Sequence, residues 1–119
     1  MILIVDDQEN MCWILSKILS KEGFSVKTAH TAKEALLIAD TSEISLAILD
    51  FRLPDGNGFD LFLDLKKRNQ NFPCVLITSY GSKKLREEAS ELGFTAYFDK
   101  PFDNRALVTA LKGALEKKC

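Results

Sequence analysis

The sequence predicts an α/β fold in which a parallel sheet is covered on both faces by helices. Two observations lead there. Short apolar runs recur along the chain without polar alternation, and each is followed by a stretch whose apolar residues keep helical spacing. Strands apolar at every residue are buried on both faces, and crossovers long enough to hold a helix join parallel strands.

Ile2–Val5 reads as the first strand and runs straight into Asp6 and Asp7. Met11, Ile14, Leu15, Ile18 and Leu19 then keep the spacing of one buried helix face, which Gly23 closes. Trp13, among them, is expected to pack partly buried. Residues 24–29 form a second strand. Thr31, with Glu34 three residues on, supplies a capping box for a helix carrying Ala35, Leu36 and Ala39. Residues 45–49 make a third strand ending at Asp50. The turn-rich loop Leu53-Pro54-Asp55-Gly56-Asn57-Gly58 precedes a third helix over 59–67. A fourth strand over 74–77 ends at Thr78. The fourth helix, near 82–92, keeps only Leu85, Ala89 and Leu92 as apolar anchors before Gly93. A fifth strand over 95–98 ends near Lys100-Pro101. Asp103 caps a last helix with Leu107, Val108, Leu111 and Leu115 inward.

The chain of 119 residues fits one domain, 1–119, and is long enough for a core without metal or disulfide support. It holds no linker, repeat or low-complexity stretch, and its last helix exhausts it, so no output domain is expected. A formal net charge of −1 offers no basic stripe and argues against direct nucleic-acid binding. No apolar run approaches the roughly 20 residues of a membrane helix, and the start lacks the features of a signal peptide. Cys12, Cys74 and Cys119 follow no CxxC spacing, so free thiols in a reducing, cytoplasmic setting are expected.

The placement of polar residues carries the function. In open α/β sheets, ligands bind outside the carboxyl ends of the strands. Asp6 and Asp7 follow the first strand, Asp50 the third, Thr78 the fourth and Lys100 the fifth. Singly, each has a plain reading as a helix cap, a loop acid or a solvated surface group. Jointly, at the ends of four strands, they do not. Three carboxylates in one cleft repel one another unless a cation sits among them, and Mg²⁺, a hard ion with oxygen ligands, is the natural candidate. Asp50 then suits a phosphoryl acceptor, with Lys100 and Thr78 able to meet the phosphoryl oxygens.

With those residues in place, the chain resembles a bacterial two-component response-regulator receiver domain over nearly its whole length. The motifs are Val5-Asp6-Asp7, the run from Leu49 and Asp50 to Gly58, Ile77-Thr78-Ser79, and Tyr97-Phe98-Asp99-Lys100-Pro101-Phe102. The resemblance implies a doubly wound, flavodoxin-like (βα)5 sandwich with strand order 2-1-3-4-5. It implies a histidine kinase or phosphotransfer protein as phosphoryl donor, Asp50 as acceptor, Asp7 as a direct Mg²⁺ ligand and Asp6 as one acting through water. The backbone carbonyl of Arg52 completes the protein ligands, and Thr78 with Tyr97 forms a switch pair. Such a domain catalyses only its own phosphorylation and dephosphorylation. Output is expected on the fourth helix, fifth strand and fifth helix, where Lys83, Lys84, Arg86, Glu87 and Glu88 offer pairing across a homodimer. Arg52 and Tyr80 occupy positions that modulate dephosphorylation in this family. The segment from Asn10 to Leu15 resembles receivers of sigma-54-dependent, NtrC-type transcription activators, which points to a transcription regulator as parent. A stand-alone regulator and a phosphorylation-independent interaction module are the alternatives. An aspartyl-phosphate hydrolase would want a second acid where Arg52 stands, nucleotide-binding glycine motifs are missing, and His30 reads as a surface residue beside a turn.

Overall fold

The computed structural model describes residues 1–68 and 70–116; Lys117, Lys118 and the expected free thiol of Cys119 lie outside the described residues. Five strands, β1 (Ile2–Val5), β2 (Val26–Ala29), β3 (Leu46–Asp50), β4 (Cys74–Thr78) and β5 (Ala96–Asp99), pair in parallel in the order β2-β1-β3-β4-β5. Between and after them run α1 (Glu9–Lys21), α2 (Ala32–Thr41), α3 (Gly58–Lys67), α4 (Lys83–Leu92) and α5 (Asn104–Glu116). The expected doubly wound sheet and its strand order are present.

Because side chains alternate across a strand, each apolar run feeds two cores at once. Leu3, Val5, Leu49 and Leu76 point to one face, where Ala35, Ala39, Leu61, Leu65 and Ala89 of α2, α3 and α4 cover them. Ile2, Ile4, Ile48 and Ile77 point to the other and meet Cys12, Leu15, Leu19, Leu107, Leu111 and Ala114 of α1 and α5. The sheet is therefore dry on both sides, and its free polar edge lies at the strand ends.

The helix ends follow local chemistry. Thr31 Oγ1 accepts the Glu34 N–H at 3.0 Å, and Glu34 Oε1 accepts the His30 N–H at 3.1 Å. Gly23, at φ 88°, closes α1 in a Schellman turn: its N–H bonds Ser20 O and that of Phe24 bonds Leu19 O. Phe24 is thus committed to the helix end, so the second strand starts at Val26 and not at residue 24. The third, fourth and fifth strands each extend one residue beyond the expected end. Asp50 and Thr78 therefore sit inside the ladder, opposite Ile77 and Asp99.

Two expectations for α1 are corrected. Ile14 is 41% exposed and Trp13 is 62% exposed, whereas Cys12 is buried. Each helical residue turns about 100°, so Cys12, Leu15 and Leu19 line the stripe while Ile14 falls off its edge and Trp13 faces away. Trp13 lies instead beneath the Lys17 ammonium, 4.9 Å from ring centroid to nitrogen. Along α2 and α5, Leu36, Val108 and Leu115 are half-buried, and Ala114 takes an inward place not foreseen. The turn-rich loop after Asp50 holds a small antiparallel hairpin, Arg52–Leu53 against Gly56–Asn57.

Leu15→Ala should destabilise the fold by about 2–5 kcal/mol, as expected for a fully buried leucine. Trp13→Ala should stay within about 0.5 kcal/mol of the native chain. Urea unfolding of both variants checks the two sides of α1 against each other.

Candidate functional site

The carboxyl edge of the sheet gathers the polar residues. Asp6 follows β1 and is held by its backbone, whose N–H bonds Ala29 O at 3.0 Å. Its side chain is fully buried; Oδ1 accepts the Gln8 N–H at 2.9 Å and Oδ2 accepts from Lys100 Nζ at 2.8 Å. Asp50, 6% exposed, ends β3, and its Oδ2 lies 3.3 Å from the same ammonium. Asp7 is exposed beside them. Each of the three acids offers an oxygen within 4.8 Å of the other two. Lys100 is fixed in turn, since its N–H bonds Thr78 O at 2.8 Å.

These positions shape the electrostatics. Burial, then the Asp6 charge, pushes the Asp50 carboxyl up to about 6, although Lys100 pulls the other way. For Lys100, burial disfavours the charge, but the bonds and charges of Asp6 and Asp50 outweigh it and hold the group above its usual value, so it stays an ammonium. One cation against three acids leaves the cleft short of positive charge. The hard oxygen donors suit a divalent ion such as Mg²⁺, and each carboxylate keeps lone pairs beyond those Lys100 uses. Cys12 is no competitor as a nucleophile: burial and Asp6 push its thiol up to about 11, and it donates to Asp6 O across 3.4 Å.

The remaining candidates surround this cluster. Thr78 is fully buried on the strand beside Asp50, and its Oγ1 accepts the Tyr80 N–H at 3.0 Å. Tyr97, half-buried on β5, donates its hydroxyl to Asp99 Oδ1 at 2.9 Å and lies under the Arg86 guanidinium, 4.7 Å from the ring centroid. Arg52 projects from the hairpin after Asp50, its guanidinium 3.9 Å from the centre of the exposed Tyr80 ring. His30 lies half-buried beside the turn into α2, outside the acidic cluster.

Two glycines matter here in ways that reading them as turn residues does not reveal. A Cβ on Gly58 would lie 2.7 Å from the backbone oxygen of Asp50, so only glycine lets α3 start directly against the strand that ends at Asp50. A Cβ on Gly81 would fall 1.7 Å from Asp99 Oδ1 and 2.2 Å from the Tyr97 hydroxyl, so Gly81 leaves the room that their bond occupies. The Arg86–Asp99 pair, at 3.7 Å, likewise had no sequence signal beyond two charges on an exposed face.

A family model described as response regulator receiver domain matches residues 2–112. Transcriptional regulatory protein CpxR of Escherichia coli (strain K12) is 37% identical over 116 residues, covering 98% of this chain and 49% of CpxR. The chain thus spans about half the length of that curated relative. Sporulation initiation phosphotransferase F of Bacillus subtilis (strain 168) is 32% identical over 117 residues, covering 98% of this chain and 94% of that protein. Among solved structures, the receiver domain of NtrX from Brucella abortus superposes with a TM-score of 0.92 at 30% identity, covering 99% of this chain and 100% of the other. A CheY-like response regulator receiver domain protein from Methanospirillum hungatei JF-1 gives 0.90 at 32% identity, covering 98% and 93%.

The raised Asp50 value has a consequence for pH. Between its ordinary value of 3.8 and about 6, the folded chain holds a proton at Asp50 that the unfolded chain has lost. Stability from this group therefore falls as pH rises through that window and is flat above it. Asp50→Asn removes the penalty, so without divalent cations it should be more stable than the native chain at pH 7. The advantage should shrink toward pH 4. Urea unfolding across that range checks the sign.

Proposed function

The chain belongs to the response regulator receiver domain family of bacterial two-component signalling, and on that premise we propose that Asp50 accepts a phosphoryl group and that the domain changes shape in response. The observation that carries the reading is the buried Asp50 carboxylate bonded to Lys100, with Asp6 and Asp7 within 4.8 Å. A lone buried acid at a strand end is destabilising; one flanked by two more acids and an ammonium is arranged for a charged guest.

The donor is a phosphohistidine of a sensor kinase or phosphotransfer protein. An Asp50 oxygen attacks phosphorus, a new P–O bond forms, and the P–N bond to the donor breaks. Transfer of this kind depends on placement and on neutralising the equatorial oxygens. Asp6, Asp7 and Asp50 with the Arg52 carbonyl would hold Mg²⁺, which would supply positive charge to those oxygens. Lys100 supplies a second positive charge, and Thr78 keeps a hydroxyl hydrogen to donate once the loop after it moves inward. The new group carries about −1.5 to −2 charge, which draws that loop in. A shift of state needs a guest that binds the two states unequally, and the phosphoryl group is that guest.

Tyr97 is the natural follower. Its hydroxyl bonds Asp99 beside Gly81, in the loop that follows Thr78, so movement of that loop frees or refills its space. Output then leaves through α4, β5 and α5, where Lys83, Lys84, Arg86, Glu87 and Glu88 are exposed and suit a charged homodimer face. The domain turns over no separate substrate; it catalyses only its own phosphorylation and dephosphorylation. No helix among the described residues is long and apolar enough to cross a membrane. We read the chain as the input module of a transcription regulator in the manner of CpxR, although the match to phosphotransferase F spans 94% of that protein and keeps a stand-alone regulator as the second reading.

Intact-mass measurement after incubation with acetyl phosphate and Mg²⁺ should show one added phosphoryl group. It should vanish without Mg²⁺ and in Asp50→Asn. No addition to the native chain under any donor would return Asp50 to the role of a buried structural acid. On this reading the Arg52–Tyr80 stack screens the phosphoryl group from attacking water, so Tyr80→Ala should shorten the phosphoryl lifetime. An unchanged decay rate would remove Tyr80 from the account.

A further inference from the structure

Asp55, at the tip of the hairpin that follows Asp50, bonds to a helix more than twenty residues away. Its Oδ1 accepts the Ala32 N–H at 2.8 Å and its Oδ2 accepts the Lys33 N–H at 3.1 Å. Both belong to the first turn of α2, which already has a local cap in Thr31. A second cap from a distant loop is not required to start the helix. What it does is tie two loops together.

The chain of bonds can be followed in both directions. On one side, the hairpin is rooted at Asp50 by Phe51, whose N–H bonds Ile77 O and whose carbonyl accepts the Gly58 N–H at 2.7 Å. On the other, α2 is reached from Ala29 through His30 and Thr31, and the Ala29 carbonyl accepts the Asp6 N–H at 3.0 Å. Asp55 therefore closes a circuit running from Asp50, through the hairpin, to α2 and back to Asp6. Its two backbone bonds, to Ala32 first and Lys33 second, also keep its carboxyl below the usual range, so the brace stays ionised.

We propose that Asp55 is a positioning residue for the cation site, fixing the segment after Asp50 at a set distance from the Asp6–Asp7 pair. This rests on the reading of Asp6, Asp7 and Asp50 as that site. Asp55 touches none of them; it acts through the hairpin and α2. Groups that orient a metal's ligands typically alter its affinity by 10–100-fold when replaced, and a brace acting at greater remove falls toward the lower end.

The test compares Asp55→Ala and Asp55→Asn with Thr31→Ala, which strips the same helix of its local cap without loosening the hairpin. Asn keeps one acceptor but turns an N–H₂ toward Lys33, so it breaks half the brace while preserving shape. Binding of Mn²⁺ alone is followed by electron paramagnetic resonance, and thermal unfolding is measured without cation. The expected result is about tenfold weaker Mn²⁺ binding in both Asp55 variants. Thr31→Ala should lose stability yet bind as the native chain does. Equal affinity in Asp55→Ala and the native chain, or equal weakening in Thr31→Ala, would reduce Asp55 to a helix cap. If the native chain itself bound no Mn²⁺, the cation site would fall first and this inference with it.

Discussion

The arrangement depends on one interaction: the Lys100 ammonium held between the buried carboxylates of Asp6 and Asp50. Two acids withdrawn from water on neighbouring strands repel each other and lose hydration. A single cation offsets part of this, and the remainder is visible in the reluctance of Asp50 to ionise. The sheet is built to keep that cation in place. The Lys100 backbone is pinned to Thr78, so the base of this side chain is tied to the strand that bears the proposed switch hydroxyl.

From this follows a division of labour within the fold. The two apolar faces are closed by aliphatic and aromatic side chains, and they fix β1, β3 and β4 as a rigid platform. The carboxyl edge is the opposite: charged, incompletely neutralised and bordered by loops. Stability supplied by the first makes the second tolerable. Gly58 marks the boundary, where the N-terminus of α3 comes so close to the Asp50 backbone that a methyl group would not fit.

The α4 side of the molecule is held differently. Ala89 is its buried anchor, Leu85 and Leu92 pack half-buried beside it, and Arg86 over Tyr97 and against Asp99 adds polar ties to β5. Exposed ion pairs of this kind contribute little and rearrange readily. A helix held by few buried groups is cheap to shift, which suits it to report what happens at Asp50.

Much of this was legible in the sequence, and the limits have physical causes. Continuous apolar runs between turn signals announced a sheet dry on both faces, because a strand buried on both sides accepts Ile2–Val5 or residues 46–49 without alternation. The polar residues at four strand ends, read together, named the cluster, and the motifs around them supplied the strand order that hydrophobic periodicity does not encode. Errors arose where a shift of one residue decides the outcome: Ile14 fell off the buried stripe, Trp13 turned to solvent, and Phe24 went to a helix end. Tertiary structure alone decided the rest. The pairing of Asp55 with Ala32 and Lys33, the space at Gly81 filled by Tyr97 and Asp99, and the weak acidity of Asp50 all depend on distances between segments far apart in the chain. Local sequence sets which groups are available; only the closed fold sets how far apart they stand, and electrostatics and sterics are functions of that distance.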